Sequence, residues 1–464
     1  MTTPNRGWLM RCVVSRCSVV AVVMSVALAV ASSAAQTIGP EGLPVITGAI
    51  SLADALRFAD RNNVQITQSL ADSGVAIASA AKAKAALQPR LSATTYESTG
   101  SESSIITSST GVNPQNLIDL SPRPFADQNV TIMFPLTTGG GLQNRATAAR
   151  DDSGASRSDT DAVRLTAQQS VTRAYANVLL DQASLSSAES TLAAEQEQVR
   201  ITQEKVNMGA QAPVDLLREQ AAMADAQSGV TQSQTNVYVD EVDLKSAMGV
   251  SQMSEITLSD TLDTLRLASA PTFPTTLASA IQHAETDRPE FRAAQDRVAS
   301  ARALASASRS EYAPQIYAVG MADTTANERV RGVSGYSVGL TASITLYDGG
   351  DRSADVAGAD AVLARANADD RAVETQIERE VSDAWYTYAA VDDRITSAQA
   401  ALSAAKQGYA LADLRYNAGK STTADRLDAL AALSKAQAML AQSEADQIDD
   451  REDLAATLGT GLAR

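Results

Sequence analysis

The chain has 464 residues, of which 20% are charged and 4% aromatic, and its formal net charge is −16. One histidine and two cysteines are too few for an imidazole- or thiol-based active site, so we expect no enzyme, no cofactor and no bound metal. The excess of acidic residues disfavours nucleic acid as a partner.

Residues 1–35 predict a secretory signal peptide. Arg6, Arg11 and Arg16 precede an apolar run at 19–30, and the small residues at 33–35 form a cleavage site. The apolar run is too short for a membrane-spanning anchor. Cleavage would start the mature chain near Gln36 and remove both cysteines, so the protein is expected outside the cytoplasm.

Landmark residues recur after 210 positions. Gly140, Val171, Gly209, Asp215 and Gly249 return as Gly350, Val381, Gly419, Asp425 and Gly459. A period this long indicates a duplicated structural half and not a small solenoid unit. The predicted halves are 36–250 and 276–464, and residues 251–275 are predicted to be an inter-repeat linker or equatorial segment.

Each half contains apolar residues at every seventh position, between 171 and 206 and between 381 and 416. No proline interrupts either stretch, so each predicts one long helix with a left-handed supercoil. The pattern resumes after Gly209, and more weakly after Gly419 in a series that begins at Arg426. Each half therefore predicts an antiparallel helical hairpin whose tip turn contains Gly209 or Gly419.

A β-hairpin is predicted before each long helix, at 91–136 and at 315–347. The segment from Tyr336 to Tyr347 alternates apolar and polar residues, and residues 129–136 do the same. Partner strands are expected after Pro89 and Pro314, with polar loops at 97–128 and 322–335.

Strands of this kind occur in soluble sheets and in membrane barrels. Three features favour the barrel: aromatic residues concentrate in the hairpin regions, the loops are long on one side only, and the chain carries a secretion signal. Four strands cannot close a barrel, and an open edge in lipid leaves backbone groups unpaired. We therefore predict an oligomer, and twelve strands from three chains would leave an open lumen.

One motif lies near the start, at 51–56, and another opens the second half, at 287–291. Paired motifs occur at 87–91 and 312–316, and at 134–140 and 344–350. The last pair contains Gly139, Gly140, Gly349 and Gly350, where strand is predicted to turn into helix. On the basis of these motifs the chain resembles the TolC family of outer-membrane efflux and secretion channels. The resemblance covers nearly all of the mature sequence.

The resemblance implies a homotrimer in the outer membrane that extends into the periplasm. Its fold class would be mainly α with membrane β: long antiparallel coiled-coil helical hairpins form a periplasmic tunnel, and four strands per chain join a trimeric twelve-stranded β-barrel in lipid. The function implied is the exit duct of a tripartite efflux pump or type I secretion system. Its partners would be a periplasmic adaptor protein and an inner-membrane pump.

The resemblance also implies an entrance gate at the helical tips. Asp425 and Asp428 resemble an acidic ring at the narrowest point, and Asp215 and Tyr416 match positions that bond to each other in closed members. Ser421 stands where those members carry an arginine of the closing network. Helix capping is the alternative interpretation of the two aspartates, because acidic residues are favoured near a helix start.

A secreted trimeric coiled-coil scaffold or adhesin without a channel is the alternative function, because heptads alone fit it. The alternating strands bounded by Gly-Gly favour the channel.

Overall fold

The computed structural model describes residues 42–98, 125–267, 273–327 and 333–460. The signal peptide predicted at 1–35 lies outside these residues, as do parts of the predicted strand-connecting loops. None of the helices in the described ranges is both long and apolar enough to cross a membrane.

The described elements follow one another in two similar series. In chain order they are β1 (Thr47–Ile50), α1 (Leu52–Asn62), α2 (Val64–Ala85), β2 (Arg90–Ser98), β3 (Phe125–Thr137), α3 (Gly141–Asn207), α4 (Pro213–Met248), β4 (Glu255–Leu258), α5 (Leu262–Leu267), α6 (Leu277–Asp287), α7 (Pro289–Arg309), β5 (Gln315–Asn327), β6 (Val333–Ser343), α8 (Asp351–Ala389), α9 (Val391–Asn417) and α10 (Thr423–Thr457).

The two predicted β-hairpins form one four-stranded antiparallel sheet with the strand order β2-β3-β5-β6. The pairing of β3 with β5 joins the two halves of the chain. A second, two-stranded sheet pairs β1 with β4 in parallel, so the predicted linker at 251–275 contains a strand and the short helix α5.

The second strand of the second hairpin is shorter than the sequence predicted. Alternation predicted a strand to Tyr347, but β6 ends at Ser343. Ser343 pairs with Gln315, the first residue of β5. The next residue that could pair on that side is Pro314, which has no N–H to donate. Residues 344–347 keep the alternating pattern without a partner strand.

The first long helix is continuous, as predicted. It contains 67 residues and is therefore about 100 Å long at ~1.5 Å per residue. The prediction of an equally continuous second helix is wrong, because α8 and α9 meet at Ala390. The N–H of Ala390 bonds to the carbonyl of Thr387, three residues back, which tightens the backbone there without a proline.

Two hydrophobic cores repeat each other. In the first, Ala55 and Ala59 of α1 pack with Val171 of α3 and with Leu244 and Met248 of α4. The second core places Ala280 and Ala284 of α6 with Val381 of α8, with Leu454 of α10 and with Leu458 directly after it. Corresponding residues are buried in both cores, so the two halves of the duplicated sequence pack in the same way.

The heptad positions are buried unevenly along α3. Val171 and Val178 are fully buried where α1 and α4 cover the helix. Towards the tip, Leu185 and Leu192 are only half-buried, and the buried residues there are the polar Glu195, Gln198 and Thr202. Within this chain the contacts of α3 therefore become more polar towards the tip, where α10 contributes Arg426 and Gln437.

Candidate functional site

The four-stranded sheet has a continuous apolar face. Two cross-strand rows on this face consist of apolar or small residues, Leu91–Ile132–Gly320–Val338 and Ala93–Val130–Ala322–Tyr336. The opposite face is more polar, as in the row Ser92–Thr131–Met321–Ser337. Val338 is 84% exposed, so the chain does not cover this face with its own helices.

Both outer strands of this sheet have an open edge. Within the described residues β2 pairs only with β3, and β6 pairs only with β5. Because the strands alternate in direction, β2 runs antiparallel to β6. A further copy of the sheet could therefore add its β2 beside β6 without breaking the antiparallel pattern.

The Gly-Gly pairs lie where they were predicted, between strand and long helix. Gly139 and Gly140 have φ of 63° and 91°, and Gly349 and Gly350 have φ of 69° and 101°. Each second glycine precedes the first residue of its helix. The turns differ in their polar contacts, because Asp348 accepts from the N–H of Gly350 and from the side chain of Arg352, which also holds the pKa of Asp348 below its usual range.

The predicted tip turns have the same backbone geometry in both halves. The N–H of Gly209 bonds to Val206 and that of Ala210 to Lys205, and in the second half Gly419 bonds to Tyr416 and Lys420 to Arg415. This pair of bonds around a left-handed glycine is the Schellman motif, which ends a helix and redirects the chain.

Asp425 folds back onto its own helix start. Thr422 and Asp425 form a capping box, in which the Asp425 carboxylate accepts from the N–H of Thr422 at 3.0 Å. Ser421 donates to the same carboxylate at 3.0 Å. These hydrogen bonds lower the pKa of Asp425, and the bond from the Thr422 N–H has the largest effect. The carboxylate is therefore ionised at neutral pH. Asp428 is exposed one turn later.

Asp215 and Tyr416, expected to bond to each other, have other partners in this structure. The Tyr416 hydroxyl accepts from Gln211 Nε2 at 2.9 Å. Asp215 accepts from the Thr423 hydroxyl at 3.4 Å and lies 3.7 Å from Arg218. All these contacts except the last join one hairpin tip to the other, so the tips are connected, but through different atoms from those the resemblance implied.

Residues 56–250 and 280–460 match the protein family described as outer membrane efflux protein. These two segments cover most of the chain and correspond to its two halves. The chain belongs to the outer membrane efflux protein family.

Solved outer-membrane channels have the same fold as this efflux protein. The CmeC channel of Campylobacter jejuni is 16% identical, with a TM-score of 0.77 over 88% of this chain and 85% of that chain. CusC is 18% identical, with a TM-score of 0.76 over 88% of this chain and 92% of that chain. VceC of Vibrio cholerae is also 18% identical, with a TM-score of 0.73 over 88% of this chain and 96% of that chain. No curated protein sequence matches the chain.

Family membership confirms the main functional prediction from the sequence. The protein is an outer-membrane efflux protein, and its fold is that of solved outer-membrane channels. The alternative of a secreted scaffold or adhesin has no support from these similarities.

A charge cluster that the sequence does not predict is buried near the tips of the efflux protein. Arg426 Nη2 donates to Glu219 of α4 at 2.7 Å and to Glu195 of α3 at 3.2 Å. All three side chains are at most 2% exposed. The available signal was an arginine at a heptad position where the corresponding residue of the first half, Leu216, is apolar.

The cluster contains two carboxylates and one guanidinium. Burial raises the pKa of Glu219, against the opposing attraction of Arg426. For Arg426, burial lowers the pKa, but the two carboxylates more than offset this and the guanidinium pKa is raised. Arg426 therefore stays charged, and the cluster keeps an excess of negative charge unless one carboxylate takes a proton.

Proposed function

We propose that three copies of this efflux protein form one channel, with a twelve-stranded barrel in the outer membrane and a helical tunnel in the periplasm. The channel would be the exit duct of a tripartite efflux pump or type I secretion system. The observation that carries the proposal is the uncovered sheet with one apolar face and two open edges.

The open edges support closure by further copies. In lipid each unpaired backbone group costs several kcal/mol, so a sheet with free edges is not stable there. Joining β2 of one copy to β6 of the next removes both edges. Three copies supply twelve strands, which is enough for an open lumen, whereas two copies supply eight, whose interior fills with side chains.

The tips are the proposed contact site for a periplasmic adaptor protein and its inner-membrane pump. Near the first tip the apolar side chains of Met208, Val214 and Leu217 are exposed. Leu411 and Leu414 are exposed on α9, within three turns of the second tip. Exposed apolar residues at the end of a helical hairpin favour a protein partner at this position.

The gate proposal places Asp425 and Asp428 around the channel axis. Three copies would bring six carboxylates together, which would concentrate cations at the entrance. The capping box found for Asp425 does not exclude this role, because Asp425 is ionised and accepts through one oxygen while its helix start faces the tip.

Assembly is tested by purifying the protein from outer membranes and measuring its mass in detergent and its conductance in planar bilayers. A heat-sensitive trimer that conducts ions is the expected result. A monomer that remains in the periplasm would contradict the proposal.

The gate is tested by combining Asp425→Ala with Asp428→Ala. If the ring exists, cation selectivity falls and block by a trivalent cation from the periplasmic side disappears. Thr422→Ala is the matched control, because it removes the capping hydroxyl and keeps both carboxylates. Unchanged selectivity with reduced thermal stability in the double variant would leave only the capping role.

A further inference from the structure

The segment 344–347 is an apolar stretch of backbone with no partner strand in the described part of the chain. It follows β6 directly and continues the alternation of that strand. Its apolar side chains are open to solvent: Ile344 is 52% exposed, Leu346 88% and Tyr347 87%. In lipid such backbone must pair with another strand. Pro314, the next position of the neighbouring strand within the chain, has no N–H to offer.

The first half shows which partner the equivalent segment has. Residues 134–137 lie 210 positions earlier and, like 344–347, lead into a Gly-Gly turn and a long helix. They pair across the halves with β5, as Phe134 with Ala318, Pro135 with Tyr317 and, after a shift of register, Thr137 with Ile316. The second half of a single chain has no counterpart of this contact among the described residues.

The strand equivalent to β5 is β2, which a second copy of the chain could supply. Pro314 before β5 matches Pro89 before β2, 225 positions earlier. Transferring the β3–β5 register by these two spacings pairs Ile344 with Ala93, Thr345 with Ser92 and Tyr347 with Leu91. Leu91 and Ala93 lie on the apolar face of the sheet and Ser92 on the polar face. The transferred pairs therefore keep apolar with apolar and polar with polar side chains, which a slip of one residue would reverse.

The helices that continue these strands repeat the same relation. Packing within the chain gives the helix order α2-α3-α7-α8, so α3 and α7 meet across the halves while α2 and α8 are the two edges. Where α3 and α7 approach closely, a Cβ on Gly154 would lie 2.6 Å from a carboxylate oxygen of Asp296. The same two spacings turn this contact into Ala364 of α8 against Ala71 of α2. Both alanines are exposed in the single chain, so small side chains are available for close packing between copies.

The edge helices also carry complementary charges. Arg145 of α3 lies 2.7 Å from Glu311, just beyond α7. The position equivalent to Arg145 is Asp355 on α8, and the position equivalent to Glu311 is Ala86, one helical turn after Lys82 of α2. Lys82 and Asp355 are exposed, and neither has an ion-pair partner among the described residues. A second copy brings an opposite charge to each of them.

We propose that residues 344–347 form an intersubunit strand that pairs with residues 91–93 of a second copy of this chain, while α8 of one copy packs on α2 of the next. The contact between the two halves of the chain is the template for the contact between copies. This inference rests on the proposed trimer and adds to it the residues that meet and their register.

Cysteine cross-linking in the outer membrane tests the register. Both natural cysteines lie in the predicted signal peptide, so introduced pairs have no background. Ile344→Cys combined with Ala93→Cys should convert most of the protein into a covalent trimer on non-reducing gels after mild oxidation. Within one chain these positions are three strands apart, about 14 Å at ~4.8 Å per strand. That separation is too large for a disulfide, so any cross-link joins different copies.

A second strand pair and a matched control complete the test. Thr345→Cys with Ser92→Cys is the second pair, because opposed residues alternate between two geometries along an antiparallel ladder. Leu340→Cys with Ala93→Cys is the control: it lies on the same face but four residues out of register, about 13 Å along the strand at ~3.4 Å per residue. The control should run as a monomer on the same gels.

The outcomes separate this inference from the proposed function. A wild-type protein that is monomeric in detergent contradicts the proposed function itself. Trimers of normal mass in which neither strand pair cross-links, or in which the control pair does so instead, overturn the inference and leave the channel proposal standing. Ala364→Cys with Ala71→Cys should also give a covalent trimer, and its failure to cross-link in assembled trimers would overturn the helix packing. The three pairs are independent, so if one variant does not assemble the other two decide.

Discussion

Glu452 is buried on α10 with neither carboxylate oxygen hydrogen-bonded. Its exposed fraction is 2%, and both Oε1 and Oε2 are without a partner in the described structure. Burial raises the pKa of Glu452 from its ordinary value of 4.5 to about 7, against the attraction of Arg451. The folded protein therefore binds a proton here more tightly than the unfolded chain does.

The sign of the resulting pH dependence follows from this raised pKa. The stabilisation is complete below about pH 4.5 and is lost as the pH rises through about 7. At ~1.4 kcal/mol per pKa unit, the loss is on the order of 3 kcal/mol per protomer. We expect Glu452→Gln to flatten the thermal stability of the detergent-solubilised protein between pH 5 and 8. Exposed Glu374→Gln is the control, and an equal slope for wild type and Glu452→Gln would contradict the assignment.

Thr422 is the residue to change when the cap at the second tip is tested for stability. Its side chain accepts from the N–H of Asp425, and this bond is one half of the capping box. Thr422→Ala should cost about 1 kcal/mol of helix stability. Differential scanning calorimetry of the purified protein measures the effect. Ser421→Ala is the comparison, because its hydroxyl contacts Asp425 but caps no backbone N–H. Unchanged stability of Thr422→Ala would show that the cap contributes nothing.

At the scale of elements, the glycines that follow α4 and α10 allow each helix to end in close contact with a junction between two shorter helices. Gly249 and Gly459 have φ of 69° and 79°. A Cβ on Gly249 would lie 2.3 Å from the carbonyl oxygen of Asn62, and one on Gly459 would lie 2.8 Å from the carbonyl carbon of Asp287. In both halves a returning helix therefore ends against the junction between two shorter helices.

Gly249→Ala and Gly459→Ala should each reduce the yield of assembled protein severely. Each adds a methyl group to a left-handed backbone position and forces it against backbone that cannot move aside. Outer-membrane trimer yield and thermal midpoint are the measurements. Gly408→Ala is the matched control, since Gly408 lies within α9 with open space around it, and alanine there should be neutral or stabilising. Normal yields from both end variants would mean that these junctions are not closely packed in the assembly.

At the scale of the whole molecule, the four-stranded sheet has an apolar face suited to lipid and a polar face suited to the lumen of the proposed barrel. Val338 belongs to the apolar face and Ser337, its neighbour in β6, to the polar face. Both side chains are exposed in the single chain. The proposed barrel therefore places Val338 in lipid and Ser337 in the lumen.

Lysine substitution distinguishes the two faces. Val338→Lys should cost ~2–4 kcal/mol if the residue lies near the middle of the membrane, and should lower the trimer yield in the outer membrane. Ser337→Lys should assemble normally and shift ion selectivity towards anions, because a lumen residue contacts permeating ions. Heat-modifiability on gels and reversal-potential measurements report the two effects. The opposite pattern, with Ser337→Lys failing to assemble, would invert the barrel faces.

The sequence by itself determined those features that depend on local periodicity and on duplication. Heptads predicted the long helices, alternation predicted the strands, and the spacing of 210 positions predicted two equivalent halves. Gly139, Gly140, Gly349 and Gly350 marked the turns between strand and helix, because left-handed backbone strongly favours glycine. One error occurred where the alternating pattern continues beyond its partner strand: β6 stops at Ser343 because the next pairing position is Pro314.

Only the tertiary structure decided which residues meet between distant segments. The pairing of β3 with β5 across the halves, and the contact of Arg426 with Glu195 and Glu219, join positions roughly 180 to 230 residues apart in the chain. Periodicity places a residue on a helix face but does not state what packs against that face. For that reason a heptad position could be identified from the sequence, while the buried charge cluster that fills it could not.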